Sequence, residues 1–387
     1  MDKSIWRFFD IPLFIGVVIT AFFGVLMVYS ATHTDPALSP LNMHIKQLTV
    51  GVGLGVILLF LMARLDYHFF EYVTFLIYVL CVGLLFLVRI IGQTTSGSTR
   101  WIDLGFTDIQ PSEPAKLLIV IVLARFYATN EHRIQRFPVF ATSMLVTAPA
   151  VILVFLQPDL GTTMVLIAIW FGMAWAGGAN LVHLFGLIFI AIPIILLIWF
   201  APDLTNGKVQ IFSDYQYERF HSFWDPNYFD PSQRRNLEVS NKAVVGGGVL
   251  GQGYASGVQN TMNYLSIRHT DFIFSVIAEE FGFVGSIALL VLLALILTRI
   301  LHIAQKSNDS YGRMICIGVF TMLFFQVFIN VGMNLGLFPV TGIPLPLISN
   351  GNSAMWTMFI SLGMVESVSM RHQRDTTWYY RSGAVAD

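Results

Sequence analysis

Ile11-Pro12-Leu13-Phe14-Ile15-Gly16-Val17-Val18-Ile19-Thr20-Ala21-Phe22-Phe23-Gly24-Val25-Leu26-Met27-Val28-Tyr29 decides the fold. No charge interrupts it. A helix needs about 20 apolar residues to cross the hydrocarbon core of a bilayer. The run is too long for the apolar part of a cleavable signal, so it reads as a retained membrane span. Runs of the same kind recur along the chain. The spans expected are 11–30, 47–64, 68–90, 113–128, 137–156, 160–178, 181–200, 272–302, 312–338 and 352–370.

Composition agrees. Of 387 residues, 55% are hydrophobic and 12% charged, against about 25% charged in soluble domains. The net charge of -1 gives no support to nucleic-acid binding. Cys81 and Cys316 both fall inside apolar runs and read as packing residues, with no disulfide or metal site implied. The expected fold is an all-α integral membrane protein, one polytopic domain over 1–387 with about ten transmembrane helices. One large extracytoplasmic loop, 201–271, lies between spans seven and eight.

The span at 113–128 is the weakest, and charge bias supports it. With ten spans, one side of the membrane carries Lys3, Arg7, Arg64, Arg125, Arg133, Arg136, Arg299, Lys306, Arg313, Arg371, Arg374 and Arg381. The short loops of the other side carry Lys46, Arg89 and Arg100. Basic residues mark the cytoplasmic side, so both termini are expected there. In the 201–271 loop, six basic residues face seven acidic ones, which excludes a polybasic lipid-binding tail. Its aromatic residues Phe223, Trp224, Tyr228 and Phe229 suit a folded or interface-lying segment.

Ionisable residues inside spans are costly and mark functional candidates. Glu113 and Lys116 share one helical face at the start of span four, as a structural ion pair or as the lining of a polar cavity. Asp159, after Gln157-Pro158, either caps span six or lines a site. Asp271 stands at the opening of span eight, again as cap or as acid–base group. Glu279 and Glu280 lie two turns further in, where at least one must face protein or water. Gly246-Gly247-Gly248-Val249-Leu250-Gly251-Gln252-Gly253 has no preceding strand and is no dinucleotide fingerprint; a close backbone approach or a hinge fits it better. Phe338-Pro339-Val340-Thr341-Gly342-Ile343-Pro344-Leu345-Pro346 forbids regular helix and should form a rigid, covered turn.

A set of motifs then runs in order along the chain. They are Arg100-Trp101-Ile102, Gln110-Pro111-Ser112-Glu113 with Lys116, and Gln157-Pro158-Asp159-Leu160-Gly161-Thr162. Phe223 with Asp225-Pro226, Gly247-Gly248 with Gly251 and Gly253, and Gln259 follow. His269-Thr270-Asp271-Phe272-Ile273-Phe274 and Thr341-Gly342-Ile343-Pro344-Leu345-Pro346 complete the set. By these motifs the chain resembles the SEDS family (shape, elongation, division and sporulation) of peptidoglycan polymerases, and its elongation members most. It departs from the family pattern at Ser349-Asn350-Gly351-Asn352-Ser353-Ala354 and at Leu265-Ser266-Ile267.

The resemblance implies an inverting glycosyltransferase. Its substrate is lipid II, a disaccharide-pentapeptide on undecaprenyl pyrophosphate, polymerised at the outer face of the bacterial cytoplasmic (inner) membrane. Asp271 matches the residue expected to act as general base. Arg100, Lys116, Arg219, Arg268 or a divalent cation (Mg²⁺ or Mn²⁺) would neutralise the leaving pyrophosphate. Trp101 would touch sugar or partner, and His269, Thr270, Glu279, Glu280, Ser349, Glu113 and Asp159 would line the cavity. A furrow between spans would take the polyprenyl tail. The implied protein partner is a class B penicillin-binding protein, a transpeptidase. The competing reading is a flippase carrying lipid II outward, and a third is a scaffold without catalysis.

Overall fold

The computed structural model describes residues 5–33, 45–95, 98–103, 105, 108–204, 231–258 and 269–381. Its helices are α1 (Ile11–Thr32), α2 (Gln47–Arg64), α3 (Tyr67–Tyr72), α4 (Thr74–Ile91), α5 (Ser112–Thr129) and α6 (Phe137–Phe155). After them come α7 (Leu160–Ala176), α8 (Leu181–Leu204), α9 (Pro231–Gly247), α10 (Ile273–Lys306), α11 (Ser310–Asn334) and α12 (Asn352–Arg381). Every span read from the sequence coincides with helix. Five helices, α1, α2, α6, α10 and α11, are long and apolar enough to cross a membrane on length and composition. Three shorter apolar stretches, Thr74–Ile90, Leu160–Ala176 and Leu181–Pro193, accompany them.

The surface has the pattern of a protein solvated by lipid. Along α1, Ile11, Ile15, Ile19, Phe22 and Leu26 point outward while Leu13, Val17, Ala21 and Val28 are buried. Small residues let the inner helices approach closely, the usual device where lipid removes the hydrophobic drive between helices. Thus Gly55 of α2 lies against the ring of Phe359 in α12, and Gly363 of α12 lies against the Leu59 carbonyl of α2. Capping sets several helix starts. Asp10 Oδ1 accepts from Leu13 N at 3.0 Å, and Asp309 Oδ2 from Gly312 N at 2.8 Å.

Four features depart from the expected plan. First, the span at 68–90 is two helices, α3 and α4, meeting at Val73. Second, the chain is not purely helical. Strands β1 (Gln93–Thr95), β2 (Ser98–Asp103) and β3 (Asp108–Ile109) form a small antiparallel sheet in sequence order. Third, α5 is weakly apolar because it is the interior helix. Glu113 and Lys116 on it are buried by protein, so lipid never meets their charges.

Fourth, residues 231–258 of the segment expected as an extracytoplasmic loop do not stand off the bundle. Helix α9 packs along α10, with Ser240 Oγ donating to Asn334 O at 2.9 Å. The glycine run after it threads a break in α10. Gly282 has φ +64° and ψ -161°, so the helix cannot continue through it. Phe283 N and Val284 N donate instead to Gly248 O and Val249 O, at 2.9 and 3.1 Å. The carbonyls they would have met, Glu279 O and Glu280 O, accept from Gln252 N and Gly253 N at 3.0 Å each. The glycines are there for close backbone approach, as the sequence suggested, since a Cβ on Gly251 would overlap the Glu280 carbonyl. Gly282 lies nine residues beyond Ile273, about 14 Å along the helix at 1.5 Å per residue. The apolar residues Val245, Val249 and Leu250 at this depth are exposed, which suits a segment re-entering a bilayer.

Candidate functional site

Two groups of the expected residues come together at one end of the bundle, and the segment 336–351, mostly buried from Thr341, joins them. The first group surrounds Asp159. That residue is the N-cap of α7, Oδ1 accepting from Thr162 N at 3.1 Å and Oδ2 from Thr162 Oγ1 at 2.9 Å. Gln110 Nε2 adds a bond to Oδ2 at 2.9 Å, and Arg100 stands 3.9 Å from Oδ1. Asp159 therefore caps α7, a role that leaves it free to line a site as well. Arg100 is engaged too. Its Nε donates to Gln157 O at 3.1 Å and a terminal nitrogen donates to Pro158 O. It pins the turn between α6 and α7, where Pro158 has a positive φ of 28°.

One turn into α5, Lys116 Nζ donates to Glu113 Oε1 at 2.8 Å, with both side chains almost wholly buried. Glu113 Oε2 has no hydrogen-bond partner. Arg100 and Lys116 were both expected as partners of a pyrophosphate. Here Arg100 donates to backbone carbonyls and Lys116 to a buried carboxylate. Trp101, half-buried, sits in β2 opposite Gln93.

The second group is His269-Thr270-Asp271, the turn that enters α10. All three carbonyls are held. Asn350 N donates to His269 O at 2.9 Å, and Ser349 Oγ donates to Thr270 O at 2.6 Å. Asn330 Nδ2 and Asn334 Nδ2 both donate to Asp271 O, at 3.0 Å each. Ser349 also accepts from Leu345 N at 2.8 Å. Its role is to tie the 341–350 segment to the motif. Asp271 itself is half-buried, at the mouth of the bundle. Asn330 and Asn334 were not anticipated; two amides four residues apart inside an apolar span were the available signal.

Glu279 and Glu280 stand apart from both groups, at the α10 break. Both are buried. Ser30 Oγ of α1 donates to Glu280 Oε1, and Glu279 Oε2 faces the backbone at Gly257. Adjacent in sequence, they serve opposite neighbours. Arg219 and Arg268 lie outside the described residues, as do Gln259, Phe223 and Asp225-Pro226. Among the described residues no cluster of three or more His, Cys, Asp or Glu could hold a metal ion. Cys81 and Cys316 are free and buried.

A lateral apolar groove of about 750 Å³ runs between α7, the far half of α10 and α11, lined by Phe171, Trp175, Leu301, Phe320 and Phe324, with Gln305 and Arg313 at its rim. Leu301 and Gln305 lie toward the end of α10 remote from Asp271, and Met164 lies about one turn into α7.

Fold and site together define a multi-pass helical membrane protein with an aspartate carried on a held turn at one end of the bundle. A family model described as cell cycle protein, covering FtsW, RodA and SpoVE, matches residues 11–374. The chain belongs to this FtsW/RodA/SpoVE family, the SEDS proteins. It is 33% identical over 356 residues to the peptidoglycan glycosyltransferase MrdB of Escherichia coli K12, covering 89% of each chain. Stage V sporulation protein E of Bacillus subtilis is 32% identical over 366 residues, with 93% of this chain and 96% of that one covered. Among solved structures, a chain of a peptidoglycan synthase complex that coordinates polymerization and crosslinking aligns with a TM-score of 0.78 at 32% identity, over 95% of this chain and 99% of that one. RodA of Thermus thermophilus aligns with a TM-score of 0.68 at 29% identity, over 93% and 96%.

Proposed function

We propose that this protein is an elongation-type peptidoglycan glycosyltransferase that polymerises lipid II at the outer face of the cytoplasmic membrane, with Asp271 as general base. The observation that carries the reading is the clamped His269-Thr270-Asp271 turn in a chain of this family. Asp159 caps α7, Glu113 pairs with Lys116, and Glu280 accepts from Ser30. Asp271 is the one placed at the rim on a fixed backbone. The 4-hydroxyl of an acceptor GlcNAc attacks C1 of a donor MurNAc. A new C1–O bond forms as the bond to the lipid pyrophosphate breaks, and the anomeric centre inverts from α to β. Asp271 takes the hydroxyl proton, a step worth about 10²–10⁴-fold.

Charge on the leaving pyrophosphate would be neutralised by Arg100, Lys116, Arg219 or Arg268, or by a divalent cation, Mg²⁺ or Mn²⁺, bound with the phosphates. Ten membrane crossings with both termini cytoplasmic keep Asp271 on the side where the lipid-linked sugars are joined. Relatives assembled in synthase complexes support a class B penicillin-binding protein as the crosslinking partner.

The test uses the protein purified with its transpeptidase partner and given labelled lipid II. Glycan polymer should form with the native chain and vanish with Asp271→Ala while partner binding persists. Polymer from the Asp271→Ala protein at the native rate sinks the assignment. Movement of lipid II across vesicles without polymer from either protein points to a flippase instead.

A further inference from the structure

We propose that Asn330 and Asn334 are positioning residues for Asp271, acting through its backbone carbonyl. The proposal rests on Asp271 being the general base. The two amides lie four apart on α11 and so share a face. Both side chains are fully buried. Asn330 Nδ2 bridges two strands of backbone, donating to Asp271 O at 3.0 Å and to Ile343 O at 2.8 Å. Asn334 works on both sides of the motif. Its Nδ2 donates to Asp271 O at 3.0 Å, and its Oδ1 accepts from Ser275 N at 3.1 Å. Ser275 N belongs to the first turn of α10, whose N–H groups have no partner within the helix.

The peptide that follows Asp271 is thus gripped from its carbonyl and from the helix it enters. The preceding carbonyls are held by Ser349 Oγ and Asn350 N. With three successive carbonyls held, the backbone that carries the Asp271 side chain is fixed in position. A general base must lie within hydrogen-bond reach of the proton it takes, and a misplacement of about 1 Å can cost about 10²-fold in rate. Two donors on one carbonyl also imply redundancy. Either amide alone leaves the carbonyl partnered, so loss of both should exceed the product of the single losses.

The experiment measures lipid II polymerisation by the complex with its transpeptidase partner, at varied lipid II, for Asn330→Leu, Asn334→Asp and the double variant. Asn334→Asp keeps the acceptor for Ser275 N and loses both donors, so it tests the clamp even if Asn330→Leu folds poorly. Met322→Ala, a buried cavity variant on the same helix, controls for lost stability. The double variant should lose about 10²-fold in kcat with KM for lipid II within about twofold of native, at temperatures well below its melting point. Met322→Ala should lower the melting temperature and leave kcat as it is. Native kcat in the Asn variants, with Asp271→Ala inactive, overturns the positioning role alone. So does a kcat loss that only tracks the melting temperature across all variants, Met322→Ala included. An active Asp271→Ala protein overturns the general base and this proposal together.

Discussion

Gly282→Ala should expel the glycine loop from α10. The backbone at Gly282, φ +64° and ψ -161°, belongs to a region open essentially to glycine, and holding another residue there costs about 1–3 kcal/mol. Space forbids the side chain as well. A Cβ at this position would overlap Gly251 N and lie 2.6 Å from Val249 O, both of them backbone atoms that cannot swing aside. The segment must therefore move. Moving it breaks the bonds of Gln252 N, Gly253 N, Phe283 N and Val284 N across the break. At about 0.5–1.5 kcal/mol each, these four are worth about 2–6 kcal/mol. Groups left unpaired at membrane depth cost more than in water. A continuous helix could recover the bonds within α10 but not those of the loop. A loss of several kcal/mol is thus expected, comparable with the whole stability of many domains. Thermal melting in detergent should fall by several degrees, and limited proteolysis should cut within 246–258, where the native protein is protected. Native melting and native protection in Gly282→Ala would refute the splice as a load on stability.

Three further outcomes follow from the same geometry. Lys116→Ala strands a buried Glu113 carboxylate and should destabilise by about 3–5 kcal/mol, while Lys116→Met combined with Glu113→Gln recovers most of the melting temperature. Asp159→Ala removes the α7 cap and should cost about 0.5–2 kcal/mol, whereas Asp159→Asn keeps a capping oxygen and should melt near the native temperature. Asp66, the cap of α3, is the pH-sensitive group. Partial burial pushes its carboxyl up, but hydrogen bonds from His68 and the charge of Arg371 outweigh that and hold it below the ordinary value. Its stabilisation is present above the unfolded carboxylate value of about 3.9 and disappears as pH falls through the lower folded value. The exposed side chain limits the effect to about 1 kcal/mol or less, so melts of Asp66→Asn and native protein should differ slightly at pH 7 and converge at strongly acid pH.

The helices were legible because crossing lipid demands long apolar runs, and those runs stand in the sequence without interruption. Even α5 could be located, though its own hydropathy is weak, because the distribution of Arg and Lys required a span there. What stayed hidden depends on distance along the chain. Gly251 and Gly282 are separated by helix entry and motif, so although the glycine run and Glu279-Glu280 each mark an oddity, their joining in one splice is not local in the sequence. Arg100 reads as a free cation at a loop until the turn it pins, at Gln157 and Pro158, is seen beside it. The cap at Asp159 and the pair at Glu113–Lys116 were each one of two readings. Only the partners around them decide, and in both the structural role is filled.

The same distinction explains why the proposed general base sits where regular structure fails. Asp271 lies where three interruptions meet, the entry to α10, the exit from α11 and the irregular 336–351 segment. Bare backbone groups in such a place need partners from protein, because lipid offers none. Asn330, Asn334 and Ser349 supply them. Those bonds therefore do two things at once. They make an irregular turn tolerable at the membrane rim, and they fix the residue that the turn carries. A carboxylate on a regular helix could have been buried more cheaply, as Glu113 is beside Lys116, but a buried and paired group is a poor acceptor for a substrate proton. Placing the proposed base on a clamped turn keeps it half-exposed on a held backbone. Substitutions in the amide stripe of α11 should for that reason be read out in turnover before they are read out in folding.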